Sequence, residues 1–299
     1  MPEVRSVHRG DVRIAYESFG DLAHGEPLLL VMGLDFQMVW WPEELVGRLV
    51  DAGFAVVRFD NRDTGLSTAC APLERPRPYR ALLGGVAPAY TSRDMVDDAL
   101  AVMDAVGWAD AHVVGASMGA ALAQGAAAED PHRVRSLVSI MGTPADVGLL
   151  RTARYVRPGV FRTLARIRPG ETDEEQVEAL VAIYRALWSP AQPFPEEWAR
   201  ATARTSHARR PRDRATTQRQ LAAGRAHRFP DPATISAPTL VINGLDDPLI
   251  RWTAGRDTAR RIPGARFVAH PGMGHAVPPA LFGAIVDDVR RVADRALSR

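Results

Sequence analysis

The sequence predicts a doubly wound, mostly parallel α/β sheet with a helical cap inserted late in the chain. Three observations carry that prediction. Short apolar runs alternate with helical patterns; the runs are continuous rather than alternating; and the alternation breaks off between about residues 145 and 232 and then resumes. Continuous apolar runs suit strands covered on both faces, as in a parallel sheet. Strand–helix alternation is the pattern of a sheet wound on both sides. A core over residues 1–144 and 233–299, with a cap over 145–232, is therefore expected.

The elements follow in chain order. VRSVHRGDVRIAYESFG reads as a hairpin turning at Arg9-Gly10-Asp11. The strand candidates are PLLLVMG (27–33), AVVRFD (55–60), HVVGAS (112–117), SLVSIMG (136–142), PTLVING (238–244) and RFVAHPG (266–272). Between them, Pro42 opens a helix that Gly53 closes, and Ser92 is placed to cap SRDMVDDALAVMDAVG. The last helix sets Leu281, Ile285, Val289 and Val292 on one stripe. The interrupted region is helical, arginine-rich and punctuated by proline (RPGVFRTLARIRPG, LWSPAQPFPEEW). Repeats and low-complexity tracts are not evident.

Composition narrows the function classes. With 299 residues, 46% of them hydrophobic, the chain can bury a large core. The first residues lack the apolar centre of a signal peptide, and no stretch approaches the ~20 apolar residues of a membrane span. The single cysteine, Cys70, rules out an internal disulfide. A soluble, cytoplasmic protein with no membrane partner is expected, its oligomeric state left open. Net charge is +2, yet residues 203–228 hold eight arginines against one acid, leaving −5 for the rest. Basicity confined in this way does not support nucleic-acid binding. The segment is either an anion-attracting mouth or a solvated helix face paired with the acidic stretch ETDEEQVEAL at 171–180.

The chemistry concentrates in HVVGASMGAALAQ (112–124), where a strand runs into a helix of small residues and Ser117 lies at the tip of the turn. Ligands of open α/β sheets bind beyond the carboxyl ends of the strands, which is where this turn lies. Gly115 and Gly119 remove side chains that would otherwise collide with the neighbouring strand and helix, leaving an exposed hydroxyl. A serine needs a base to attack. Of eight histidines, only His275 stands in a glycine-rich loop (PGMGHAVP) between the last strand and the last helix, able to overhang the serine. A carboxylate is required behind it, and Asp246 and Asp247 both follow the strand PTLVI; spacing alone leaves the choice open, the other aspartate serving the turn before Pro248. Oxyanion donors are expected from the backbone amides of Met118 and of Leu34, the latter after the turn at Gly33. Phe36, Trp40, Trp41 and the cap's Trp188 and Phe194 either line a substrate pocket or pack cap on core. No cysteine–histidine cluster and no G-x-G-x-x-G after a strand is present, so neither metal nor organic cofactor is expected.

Taken in sequence, LLLVMG, FDNRDTGLS (59–67), HVVGASMGA, LVINGLDDP and PGMGHAVP resemble the successive signatures of the α/β-hydrolase superfamily with a helical cap. The VMG string, D-x-R-D-T-G-x-S and GMGHAxP endings are most similar to aclacinomycin methylesterase and its relatives, which cleave a methyl ester of an anthracycline polyketide. The resemblance covers nearly the whole chain but is weak over 145–232. It implies Ser117, Asp247 and His275 as a triad, choosing Asp247 because the acid directly precedes the proline, and it assigns Asp60 and Arg62 to loop support. It implies a serine esterase acting on a small-molecule substrate. Lactone, thioester, amide (as in proline iminopeptidase relatives) or carbon–carbon cleavage with the same triad, and a ligand receptor on the same fold, are the other readings.

Overall fold

The computed structural model describes residues 3–70 and 88–297. Among them the chain forms an eight-stranded sheet in the order β1-β2-β4-β3-β5-β6-β7-β8. β1 (Arg5–Arg9) and β2 (Val12–Phe19) make the expected hairpin, turning through Gly10 at φ 59°. β2 runs antiparallel to β4 (Phe54–Phe59), and every later pairing is parallel. The continuous apolar runs become β3 (Glu26–Val31), β4, β5 (Ala111–Ala116), β6 (Val134–Ile140), β7 (Thr239–Gly244) and β8 (Arg266–His270). β4, β5 and β7 are buried along their whole length, the reason their sequences do not alternate. β8 lies at the sheet edge and is half-buried.

Helices cover both faces. α1 (Glu43–Asp51) follows Pro42 and ends before Gly53, whose φ of 93° suits the residue type that closes it. α2 (Ser92–Ala105) is capped by Thr91 rather than by Ser92 as expected. Thr91 Oγ1 accepts from the Asp94 amide while the Asp94 carboxylate accepts from the Thr91 amide, a reciprocal box for which the acid stands at the right offset only from Thr91. Ser92 instead donates to the His227 carbonyl. The small side chains of α3 (Met118–Glu129) let it lie against β5 and β6, and a Cβ on Gly125 would sit 2.3 Å from the ring of Phe229 in the segment that leads into β7. Between β6 and β7 the described residues form five helices: α4 (Leu149–Tyr155), α5 (Gly159–Arg166), α6 (Asp173–Leu187), α7 (Glu196–Arg209) and α8 (Arg214–Ala226). α9 (Thr253–Arg261) and α10 (Phe282–Leu297) complete the core. Ile285, Val289 and Val292 are buried on the stripe of α10, while Leu281 falls in the 3-10 turn before it.

Two hydrophobic clusters sandwich the sheet. One joins α1, α10 and the helices α6 and α7; the other joins α2 and α3. Among the described residues no helix is long and apolar enough to cross a membrane.

The switch in strand order falls at β3, whose neighbours β4 and β5 lie on opposite sides. Connections leaving β3 and β5 therefore diverge, and a crevice opens between their carboxyl ends.

A titratable group lies inside this sheet. His112, in β5, is 1% exposed; its Nδ1 pairs with Ser136 Oγ at 2.8 Å, and burial holds the imidazole down to about 4. The unfolded chain then binds more protons than the native one between about pH 6.5 and 4, so this contribution to stability is complete above 6.5 and is lost as pH falls toward 4. Wild-type protein is expected to lose about 2 kcal/mol through this group between pH 7 and pH 5. The measurement is the urea midpoint at both pH values, and the drop should shrink in His112→Gln.

Candidate active site

Ser117 is the residue between β5 and α3, with φ 56° and ψ −116°. For a residue with a side chain this backbone is strained, at a cost on the order of 1–3 kcal/mol. The turn is tight enough that a Cβ on Gly115 would come within 2.1 Å of the Gly119 carbonyl oxygen. One on Gly119 would come within 2.1 Å of the Val31 oxygen in β3. The Ser117 amide donates to the Ile140 carbonyl at 2.9 Å, tying the strained residue to β6.

His275 reaches this hydroxyl from the loop after β8. Its Nε2 lies 2.9 Å from Ser117 Oγ and its Nδ1 2.8 Å from Asp247 Oδ2. A carboxylate only accepts, so Nδ1–H donates to Asp247 and Nε2 is left to accept from the serine hydroxyl. Asp247 is 1% exposed and His275 8%, so the aspartate–histidine pair is shielded from bulk water while Ser117 is partly open.

The two aspartates divide their work differently from expectation. Asp247 serves the turn as well as the histidine, its Oδ1 accepting from the Leu249 and Ile250 amides at 2.7 and 2.8 Å. Those bonds leave Oδ2 aimed at the imidazole. Asp246 does not serve the turn before Pro248; its Oδ2 accepts from the Gly272 amide at 2.8 Å and so braces the loop that carries His275. That loop is also gripped from the cap side, the His275 amide donating to the Leu187 carbonyl at 2.8 Å. Glycines permit the grip: a Cβ on Gly244 would meet the Met273 oxygen at 2.0 Å, and one on Gly274 the Ser189 nitrogen at 2.5 Å.

The two residues expected to supply amide donors come from the turns after β5 and β3. Met118 opens α3, and Leu34 follows Gly33, where an added Cβ would be 3.1 Å from Ser117 Cβ and 3.7 Å from Oγ. Among the described residues no three His, Cys, Asp or Glu side chains converge to hold a metal ion.

Aromatic residues join cap to core. Phe36 meets Trp40 edge-on at 5.1 Å, Trp40 meets Tyr184 at 4.7 Å, and Tyr184 meets Trp188 at 5.7 Å. Phe194 packs on Trp188 at 5.7 Å. Trp41 is buried in the core, its carbonyl accepting from Arg58. A cavity of about 790 Å³ opens beside this cluster, lined by Tyr184, Trp188, Trp198, Val277 and Phe282 among others. Trp188 is the one pocket candidate on its wall; Phe36, Trp40, Trp41 and the serine itself are not. Tyr184 and Trp198 were missed by sequence reasoning. The signal available was Tyr184 standing four residues before Trp188, which follows the end of α6.

The arginine-rich segment splits between two partners. Arg204 and His207 do pair with Glu174 and Asp173 of the acidic stretch. Arg209 and Arg219 turn inward instead, to Asp60 and Asp63. Asp60 and Arg62 hold loops: Asp60 accepts from the Met38 and Leu66 amides, and Arg62 forks onto Asp98 in α2.

Fold and site together define a class. A strand–serine–helix elbow at the switch point of a parallel sheet, faced by a histidine and an aspartate from later loops, is the arrangement of hydrolases, and the profile of the alpha/beta hydrolase fold matches residues 22–278. The chain belongs to that family. Its similarity extends to particular members: it is 32% identical to rhodomycin D methylesterase DnrP of Streptomyces peucetius over 94% of both chains. Among solved structures it is similar in fold to the enol-lactonase of Burkholderia xenovorans LB400 (TM-score 0.70, 22% identity, covering 99% of this chain and 100% of that one). The meta-cleavage product hydrolase of Pseudomonas fluorescens IP01 is similar as well (TM-score 0.72, 18% identity, 98% of each).

Relieving the strain at the elbow should stabilise the protein. Ser117→Gly is expected to gain about 1 kcal/mol, a few degrees in melting temperature, whereas Ser117→Ala keeps the strained backbone and gains less. Calorimetry on the two variants checks this; equal melting temperatures would mean the φ of 56° stores little energy.

Proposed function

We propose that the protein is a serine hydrolase that cleaves a carboxylic ester through an acyl-enzyme. The observation that carries this reading is the continuous path from Ser117 Oγ through both nitrogens of His275 to Asp247, with links of 2.9 and 2.8 Å. Serine Oγ attacks the ester carbonyl carbon while its proton passes to Nε2, and the carbonyl electron pair moves onto oxygen. The amides of Leu34 and Met118 hold that oxyanion, with the amino end of α3 favouring the negative charge. The tetrahedral species collapses, the C–O bond to the leaving alcohol breaks, and the alcohol takes the proton from Nε2–H. Water then attacks the acyl-enzyme by the same route and releases the acid. Asp247 keeps the imidazole in the tautomer that accepts from serine and stabilises its charged form.

For the substrate, the 32% identity to DnrP supports a methyl ester of a small, largely apolar molecule. The aromatic cluster of Trp40, Tyr184 and Trp188, where the helices between β6 and β7 meet the loop after β3, supports an apolar body.

The experiment is a nitrophenyl ester assay with single-turnover analysis. Wild type should release a burst of nitrophenol, and Ser117→Ala and His275→Ala should each lose on the order of 10³-fold or more in kcat, without adding when combined. Asp247→Asn should also lose heavily. Asp246→Asn should not, since an amide oxygen can still accept from the Gly272 amide. Release by Ser117→Ala equal to wild type would falsify the proposal.

A further inference from the structure

We propose that the arginine-rich end of the cap is a clasp that positions the Leu34 amide for the oxyanion, acting through Asp35 and Gln37. The inference rests on the ester-hydrolase reading above and adds positioning residues to it: Arg212, Thr217 and Gln220.

The loop after β3 has little to hold it from within. Its internal backbone bond at the turn, from the Phe36 amide to the Gly33 carbonyl, is long at 3.5 Å. Asp35, the residue after Leu34, has φ 63°, a left-handed backbone that aspartate tolerates without preferring it, so keeping the turn in one conformation calls for an outside constraint. That constraint comes from the cap. Asp35 Oδ2 accepts from Arg212 Nε at 2.7 Å and from Thr217 Oγ1 at 2.6 Å, and Arg212 Nη2 completes the fork at 2.6 Å. The Asp35 amide donates to Gln220 Oε1 at 2.8 Å, and Gln220 Nε2 donates onward to the Arg62 carbonyl. Two residues further on, Gln37 Nε2 donates to the Ser206 and Arg210 carbonyls at 2.8 and 3.0 Å.

Both peptide groups beside Leu34 are thus constrained. On one side Gly33 is pressed against Ser117; on the other the amide of Asp35 is fixed by Gln220. A donor in this position acts on charge that exists only in the transition state. Displacement by about 1 Å is enough to cost up to two orders of magnitude in rate. Removing a clasp residue should therefore lower kcat and leave KM nearly alone, whereas loss of a substrate contact would raise KM. The side chains at issue lie outside the triad and do not line the cavity.

The test uses the full chain and nitrophenyl acetate, whose small acyl group limits contact with the cap. Gln220→Ala and Arg212→Gln should each lower kcat about tenfold or more with KM within about twofold of wild type. Affinity for a trifluoromethyl ketone analogue of the tetrahedral species should fall in parallel with kcat/KM. Arg212→Lys, which keeps the charge but not the fork, should recover part of the loss. Thr217→Val gives a milder variant should either of the others fold poorly, with near-ultraviolet circular dichroism as the check. Arg204→Gln, which removes an exposed pair with Glu174 in the same segment, should leave kcat unchanged. Wild-type kcat in folded Gln220→Ala and Arg212→Gln, or a change confined to KM, overturns the clasp. Those results leave the triad reading standing, because wild-type turnover and its loss in Ser117→Ala are measured beside them.

Discussion

The molecule depends on backbone meeting backbone without side chains between. Where β3, β5 and the first turn of α3 converge, Gly119 lies against the Val31 carbonyl and Gly115 against Gly119, at separations no Cβ tolerates. The contact lets α3 lie flat on the centre of the sheet and forces the intervening serine into its strained backbone. The strain is local and is offset by the surrounding parallel ladder, which includes the bond from Ser117 to Ile140 in β6. Close-packed interiors deform little, so the hydroxyl is held at one height above the sheet rather than free to fold back.

The histidine is held by different means. Its loop is long and glycine-rich, and its position is assembled from contacts made by elements far apart in the chain. Asp246 braces it from the turn after β7, and the end of α6 grips it through Leu187. Asp247 fixes its own carboxylate with two amides before presenting the free oxygen. Each group that would act in turnover is thus oriented by a neighbour that would not, which reduces the reorganisation needed when charge develops.

Cap and core are joined by two kinds of contact. Tilted and edge-on aromatic packing around Tyr184 and Trp40 supplies apolar burial, about 25 cal/mol for each Å² removed from water. Ion pairs such as Arg219 with Asp63 and Arg209 with Asp60 lie inside, at side-chain exposures of 3% with 0% and 11% with 0%. Buried pairs add little net stability once desolvation is counted, but breaking one leaves an uncompensated charge. The exposed pairs of the same segment, Arg204 with Glu174 among them, contribute less.

The strands, the elbow and the chain order serine, aspartate, histidine were legible in the amino-acid sequence. Those signals are local: continuous apolar runs, glycines at fixed offsets from Ser117, and a histidine alone in its loop. Sequence reasoning misassigned the cap of α2 because Thr91 and Ser92 compete and only the offset of Asp94 separates them. The duties of the aspartate pair, the aromatic partners Tyr184 and Trp198, and the division of the arginines between acidic helix and core loops were decided by tertiary structure. These depend on which surfaces meet when the cap folds onto the sheet, and an arginine's charge looks the same in a sequence whether its carboxylate lies one turn away or 150 residues away.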